Sequence, residues 1–473
     1  MFALGKGDQV ELGSIVGPAA LYGWMWMVFC SPLFSQAGYA RAIDGVAVYI
    51  LWCMAKVATF AWYSFRGGTF ARQTPLVAAV AGVAGTVFVL ASPVLVTFHW
   101  AFGILVVSGP VLLGVSWAAL LVGWNAAYAS LDYEAIYRNV ALFAGVGAMC
   151  FLVGLSLGEV AELVLGCLLP LVSGVLLKRE GGVLSAPSVS SDDELPEEAS
   201  PRHAFGTAFS SLGLPRSLVL AAMVMGAAVA CTKGDGSAVV FSSEVMGEQL
   251  LYVAIVCLAL IALVVKSVRF VYCGSYILVA GGLLSLPLGH SEVTASLVGI
   301  GFICFQVSLW ILIASISRKR QLAPSVACAR LWLFLEVGML AGGLGSIAVL
   351  VFEGDGLLVI FVYNMLAFVV LLLFSATAAQ SYLSIIGEES LARQSESQYQ
   401  QRVEKAIKAF GLTAREGEIL RLIAYGRDTN YIMDSLTISR NTAKTHLRHI
   451  YEKFGVGTRQ ELLDRIDEQD VEK

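Results

Sequence analysis

The chain has 473 residues, 57% of them hydrophobic and only 14% charged, with a formal net charge of −4. Soluble domains carry about 25% charged residues, so this composition excludes a water-soluble globular enzyme. The small net charge decides nothing about partners, because the charges are bunched rather than spread.

A helix needs about 20 apolar residues to cross a bilayer. Runs of that kind lie at 12–34, 42–64, 74–95, 102–126, 136–157, 159–177, 215–232, 249–268, 270–289, 294–316, 328–352 and 356–379. They predict about twelve spans; the seventh run is short and the fourth contains Pro110. The first run has only Lys6 ahead of it and many spans behind it, so it reads as a retained span rather than a cleaved leader. The spans divide six and six around a polar loop, residues 178–214, whose stretch LSAPSVSSDDELPEEASP has a disordered composition.

Basic residues concentrate on alternate loops. Arg66 and Arg72 follow the second run, and Lys178, Arg179, Arg202 and Arg216 flank the central loop. Lys266 and Arg269 lie where the eighth run meets the ninth, and Arg318, Lys319, Arg320 and Arg330 where the tenth gives way to the eleventh. The opposite side has only Arg41 and Lys233. The positive-inside rule then places the even-numbered loops and both termini in the cytoplasm of a multi-pass protein of the cell membrane.

Nine cysteines, Cys30, Cys53, Cys150, Cys167, Cys231, Cys257, Cys273, Cys304 and Cys328, lie in or beside apolar runs and form no C-x-x-C pair. Neither a metal site nor a disulfide framework is indicated. Gly338 and Gly342 form a G-x-x-x-G in the eleventh run, a sign of close helix packing. Trp24, Trp26, Trp117 and Trp310 are candidates for lining a cavity, or simply for interface and core. Glu159 and Glu162 fall near the outer boundary and are expected to face water.

The six-plus-six pattern over residues 1–379 resembles the major facilitator superfamily. The segment SFRGGTFARQTP after the second run keeps Arg66, Gly67, Gly68 and Arg72 of that family's loop signature but has no Asp. Ionisable residues inside spans are functional candidates, and Lys56 and Glu336 lie roughly 15 and 9 Å from the cytoplasmic ends of their spans at 1.5 Å per residue. The resemblance implies that spans two and eleven are neighbours. Lys56 and Glu336 are therefore expected to pair, either as a static tie or as a group that reports ligand or proton binding.

Residues 380–410 are rich in Gln, Glu, Ser, Arg and Lys, which suits a polar helix or a flexible tether. From Gly411 the chain changes character. Thr413 and Glu416 make a T-x-x-E capping box ahead of an apolar face of Ile419, Leu420, Leu422 and Ile423, and Gly426 is placed to end that helix. A short helix from about Thr429 to Leu436 follows, and Ser439 is the expected N-cap of a third, of about 15 residues. Thr458 and Glu461 repeat the box for a fourth.

On the third helix, Ala443, Leu447, Ile450, Tyr451 and Phe454 recur at core spacing, while Asn441, Lys444, Thr445 and Arg448 share the opposite face. Basic and hydrogen-bonding side chains there can reach base edges in a major groove, and the local positive charge suits phosphates.

LTAREGEIL, then S-x-x-T-x-K-x-H, then YEKFGVGTRQEL closely resemble the LuxR-type (NarL/FixJ-type) helix-turn-helix over about 55 residues. That resemblance implies base contacts by Lys444, Thr445 and Arg448, phosphate contacts by Thr442 and Lys453, and a structural or phosphate-side His446. It also implies binding to double-stranded DNA as a homodimer through the last helix, about 458–468. Met433 and Ala443 stand where the family prefers Ala and Val, and both keep an apolar residue inside.

The whole therefore reads as all-α: a polytopic membrane domain (1–379), a linker (380–410) and a four-helix DNA-binding domain (411–473). The expected function is a membrane-embedded transcription regulator controlled by an unidentified small molecule or membrane state. The alternative is a secondary transporter with a regulatory DNA-binding tail. A genome in contact with the cytoplasm points to a prokaryote. No Walker loop, G-x-S-x-G, H-E-x-x-H or kinase signature occurs, so neither catalytic residues nor a cofactor is expected.

Overall fold

The computed structural model describes residues 12–30, 42–65, 74–92, 99–129, 131, 133–180, 214–231, 254–255, 258, 268–285, 291–320, 322–351, 362, 365–371, 373, 402–424 and 429–468. Among these every regular element is a helix, as the composition and periodicity require. The chain forms two compact units, Met1–Ile385 and Ile386–Lys473.

The first unit contains α1 (Leu12–Cys30), α2 (Ala42–Phe65), α3 (Thr74–Ala91), α4 (His99–Tyr128), α5 (Tyr133–Leu157) and α6 (Glu159–Glu180). It continues with α7 (Arg216–Cys231), α8 (Val268–Ser285), α9 (Ser291–Arg320) and α10 (Pro324–Val351). Seven of these helices, α2–α6, α9 and α10, are long and apolar enough to cross a membrane. α1, α7 and α8 are apolar but shorter. α4 runs unbroken through Pro110. The runs 249–268 and 356–379 fall largely outside the described residues; their described positions are mostly helical.

Outward faces carry Val77, Val80, Val160, Ile277 and Leu373, each well exposed. Apolar patches of that kind are stable against lipid rather than water. Inward, the aromatic rings cluster. Tyr22 lies 5.3 Å from Trp117 and 5.8 Å from Trp26, and Trp310 lies 4.9 Å from Phe143 and 5.0 Å from Tyr128, centroid to centroid. The Trp310 indole N–H donates to the Tyr22 hydroxyl at 3.0 Å, satisfying a polar handle that hydrocarbon cannot.

α10 is held tightly on one side by α7. A Cβ at Gly338 would stand 2.0 Å from the Met223 carbonyl oxygen, and one at Gly342 2.4 Å from that of Ala227. A Cβ at Gly226 would stand 2.2 Å from the Leu335 carbonyl. The two backbones touch only because glycine leaves room, which is how small residues promote helix association without a hydrophobic drive.

Glu159 is exposed, but Glu162, expected to face water, is only 4% exposed. It lies in the first turn of α6, where the positive end of the helix dipole favours a carboxylate.

Among the described residues of the second unit, a helix through residues 402–409, α11, is followed by α12 (Ala414–Ala424), α13 (Thr429–Leu436), α14 (Arg440–Phe454) and α15 (Arg459–Glu468). The compact unit thus begins before Gly411. Val403 and Ala406 are buried in the same core as Ile419, Leu420, Ile423, Ile432, Ile450, Phe454, Leu462 and Ile466, with Ile407 and Phe410 packed against it. Gly411, at φ +59°, makes the turn from α11 into α12.

Candidate nucleic-acid interface and buried ion pair

Local hydrogen bonds fix each helix of the second unit. The Thr413 amide donates to Glu416 Oε2 at 2.8 Å, and the Glu416 amide to Thr413 Oγ1 at 3.3 Å, a reciprocal capping box. Arg415 donates to the Leu436 carbonyl at 2.6 Å and Arg459 to that of Ile423 at 3.1 Å. Each guanidinium satisfies an orphan carbonyl at a helix end. Gly426, expected to end α12, lies outside the described residues.

Between α13 and α14 the chain turns through Thr437, which holds φ +53°. A β-branched residue is strained there. Ser439, in extended geometry, accepts from the Thr442 amide at 3.2 Å and starts α14. Gly455, at φ +67°, stops it: the Val456 amide donates back to Tyr451 at 3.0 Å and the Gly455 amide to Glu452 at 3.2 Å. That is a Schellman closure, which a left-handed glycine permits. Thr458 and Glu461 start α15; the Glu461 amide donates to Thr458 Oγ1 at 3.2 Å, and its carboxylate accepts from the Gly457 amide at 2.8 Å. The resulting bond to Gly457 holds the Glu461 carboxyl below its usual range.

α14 separates its faces as its period predicts. Ala443, Ile450 and Phe454 are buried, with Leu447 and Tyr451 half-buried beside them. Asn441, Thr442, Lys444, Thr445 and Arg448 are all exposed. The Thr445 hydroxyl donates to the Asn441 carbonyl at 2.9 Å, and the oxygen of this exposed residue can still accept. Arg448 stands 3.6 Å from Glu452, an exposed pair one turn apart that is easily exchanged for another partner.

Lys453 is differently placed. Its ammonium bonds Glu416 Oε2 at 2.7 Å and the Gly411 carbonyl at 3.0 Å. The side chain expected at a phosphate therefore ties the end of α14 to the start of α12. Burial would raise the Glu416 pKa, but Lys453 and the Thr413 amide and hydroxyl outweigh it and hold the carboxyl at about 2. His449 Nδ1 lies 3.9 Å from the same carboxylate, and His446 is half-buried.

In the first unit, Lys56 and Glu336 meet. Lys56 Nζ lies 2.8 Å from Glu336 Oε1 and 2.7 Å from Oε2, and each residue is 1% exposed. The ammonium also sits 3.2 Å above the Trp52 ring, one turn away on α2. A desolvated cation gains from a ring face as well as from a carboxylate. Trp52 in turn walls a small apolar pocket with Trp24, Met25, Val28, Leu113 and Trp117. Of the four tryptophans considered above, Trp24 and Trp117 line this pocket; Trp26 and Trp310 are buried in the aromatic cluster. Near the other end of α2, the Arg330 Nε donates to Ser64 Oγ at 3.4 Å.

Two contributors escaped sequence reasoning. Trp52 was legible as an aromatic four residues before Lys56. Val403, Ala406, Ile407 and Phe410 follow the i, i+3, i+4, i+7 pattern of a helix face, but their polar neighbours disguised it as linker. Among the described residues no cluster of His, Cys, Asp and Glu could hold a metal ion.

Comparison with known proteins agrees with the second unit's geometry. Residues 411–466 match the family described as bacterial regulatory proteins, luxR family, and they form a LuxR-type helix-turn-helix domain. The HTH-type transcriptional regulator MalT of Yersinia pestis (strain Pestoides F) is 38% identical over 64 residues, 14% of this chain and 7% of that protein. MalT of Serratia proteamaculans (strain 568) is 36% identical over 67 residues, again 14% and 7%. The chain thus spans about 7% of the length of these curated relatives.

Among solved structures, a bacterial homologue of the iron transporter ferroportin in an outward-facing state aligns over 79% of this chain and 100% of its own, at 16% identity and TM-score 0.47. The human organic anion transporter MFSD10 (TETRAN) aligns over 78% and 100%, at 11% identity and TM-score 0.46. Likeness of this degree transfers no activity.

Proposed function

We propose that the chain is a membrane-embedded transcription regulator that binds double-stranded DNA through α14 and is controlled by a signal received in its membrane unit. The observation that carries this reading is the LuxR-type domain joined to apolar helices of membrane-spanning length. Asn441, Lys444, Thr445 and Arg448 present one exposed stripe of donors, acceptors and positive charge, the chemistry that reads base edges in a major groove. Thr442 flanks that stripe and contacts phosphate. Lys453 ties Glu416 and the Gly411 carbonyl with two of its three donors and, partly exposed, offers the third to a phosphate.

The reading places both termini in the cytoplasm, where the domain meets the genome. It also makes the DNA-bound form a homodimer. α15 keeps Leu462 and Ile466 in its own core, so pairing uses its exposed face with Glu461 and Arg465. Two copies confined to one bilayer meet at raised effective concentration. The signal is a small molecule or a membrane state that acts at or near the Lys56–Glu336 pair, since a desolvated ion pair between two spanning helices changes most when its surroundings change.

Genome-wide DNA occupancy in intact cells tests the reading. Discrete occupied sites should vanish on deletion of residues 411–473, and Lys444→Ala and Arg448→Ala should each weaken specific binding by ~1–3 kcal/mol. Occupancy that survives the deletion sinks the proposal.

A further inference from the structure

α11 leads from the membrane unit in sequence, yet it is built into the core of the DNA-binding unit. Three of its residues, and the turn after it, do this. Val403 and Ala406 are 4% and 0% exposed in that core. Phe410 stacks on Phe454, the last residue of α14, with ring centroids 4.0 Å apart and planes 22° from parallel. Glu404 receives two hydrogen bonds from Arg421 of α12, at 2.6 and 3.0 Å. The Gly411 carbonyl accepts from Lys453, one residue before Phe454. The C-terminal end of the recognition helix is therefore gripped from two points, Phe410 and Gly411, and both lie on the segment arriving from the membrane side of the sequence.

None of these contacts touches the exposed stripe of α14. They bear on where that stripe sits. An α-helix is stiff, so fixing one end through a stacked ring and an ammonium–carbonyl bond fixes the pitch of the other end against the rest of the domain. Base readout depends on that pitch, because bidentate bonds to base edges have narrow geometry. Attraction to phosphates is less demanding, since it follows charge.

We infer that Phe410 and Glu404 are positioning residues for DNA recognition: α11 sets the pose of α14, so sequence-specific affinity depends on whether α11 is docked. This rests on the regulator reading. It makes the docking of α11 the step that changes specificity, while non-specific affinity stays nearly constant.

The test uses the full chain in lipid nanodiscs. Duplexes are first enriched from fragmented genomic DNA by the wild type, and binding to the best of these is compared with binding to a random-sequence duplex. Hydrogen exchange of residues 402–409 reports whether α11 is docked. Phe410→Ala should lower affinity for the enriched duplex at least tenfold and affinity for the random duplex less than threefold, with an unchanged salt dependence for the latter. Phe410→Tyr, which keeps the stacked ring, should stay within twofold of wild type for both. Glu404→Ala should lower specific affinity about threefold.

If Phe410→Ala frees α11 by exchange yet binds the enriched duplex within twofold of wild type, the inference is overturned. Should Phe410→Ala unfold the whole domain, Glu404→Ala decides: freed α11 with unchanged specific affinity overturns it, and freed α11 with reduced specific affinity supports it. A wild type that enriches no duplex over random sinks the regulator reading and this inference with it, an outcome distinct from the others.

Discussion

Two lysine–glutamate pairs in this chain have the same length and opposite settings. Lys56–Glu336 in the membrane unit and Lys453–Glu416 in the DNA-binding unit each close at 2.7 Å. In the first, both side chains are 2% exposed; in the second, Glu416 is 5% and Lys453 34% exposed. Distance therefore says little about consequence. A lysine at the surface can return to water when its partner is lost, whereas the buried Lys56 is left over the Trp52 face, away from water.

The largest effect should come from breaking the membrane pair on one side only. Lys56→Met or Glu336→Leu alone leaves an uncompensated buried charge and should cost about 3–5 kcal/mol, whereas the double change should recover most of that loss. Thermal unfolding of purified protein and its abundance in membranes measure this. Equal losses in singles and double would remove the claim that the charges matter through each other. If the double change restores stability but not response to signal, the pair has a sensing role that packing alone cannot supply.

A smaller effect separates the ion-pair side of α10 from its glycine side. Gly338→Ala puts a Cβ 2.0 Å from a carbonyl oxygen, and overpacking of that kind costs about 1–3 kcal/mol. Stability unchanged by this substitution would mean that the α7–α10 seam yields readily.

In the DNA-binding unit, Lys453→Ala should destabilise the domain by about 1–3 kcal/mol, because it strips a charged hydrogen bond from a buried carboxylate. Its pH dependence identifies the cause. Glu416 has its pKa depressed from 4.5 to about 2. The stability it contributes is therefore fully present above about 4.5 and is lost as pH falls through about 2. The gap between Lys453→Ala and the parent chain in denaturant unfolding should narrow over that window. Lys444→Ala, whose side chain is exposed and remote from this tie, should leave stability unchanged and act on DNA alone.

The smallest effect is a gain. Thr437 sits at φ +53° in the turn before α14, and left-handed geometry costs an L-residue about 1–2 kcal/mol. Thr437→Gly should therefore stabilise the domain by somewhat under that amount, after the extra flexibility glycine gives the unfolded chain. A loss of stability would show that the Thr437 side chain makes up for its backbone.

Much of this was readable from residue order. Thr413 with Glu416, Ser439 with Thr442, and Thr458 with Glu461 are each three residues apart, so their hydrogen bonds are local and any helix start of that composition will make them. The exposed stripe on α14 was equally legible, because a period of 3.6 residues separates Asn441, Lys444, Thr445 and Arg448 from Ala443, Ile450 and Phe454 whatever lies opposite. That α11 packs into the DNA-binding core was missed although its apolar spacing was present, since a four-residue apolar face among charged neighbours has no local feature that names its partner.

The sequence by itself determined the all-α class, the change from lipid-compatible to water-compatible composition, the helix caps and the outward face of α14. All of these follow from propensity and periodicity within one or two turns. Only the tertiary structure decided which distant groups meet. Lys453, expected at a phosphate, meets Glu416, 37 positions away, because packing buries that carboxylate beside it. Lys56 and Glu336 stand 280 positions apart, and the resemblance between span patterns suggested their meeting where no local rule could. The glycine seam and the Phe410–Phe454 stack belong with them. Desolvation makes each of these contacts matter, and which atoms are desolvated together is settled only when the helices pack.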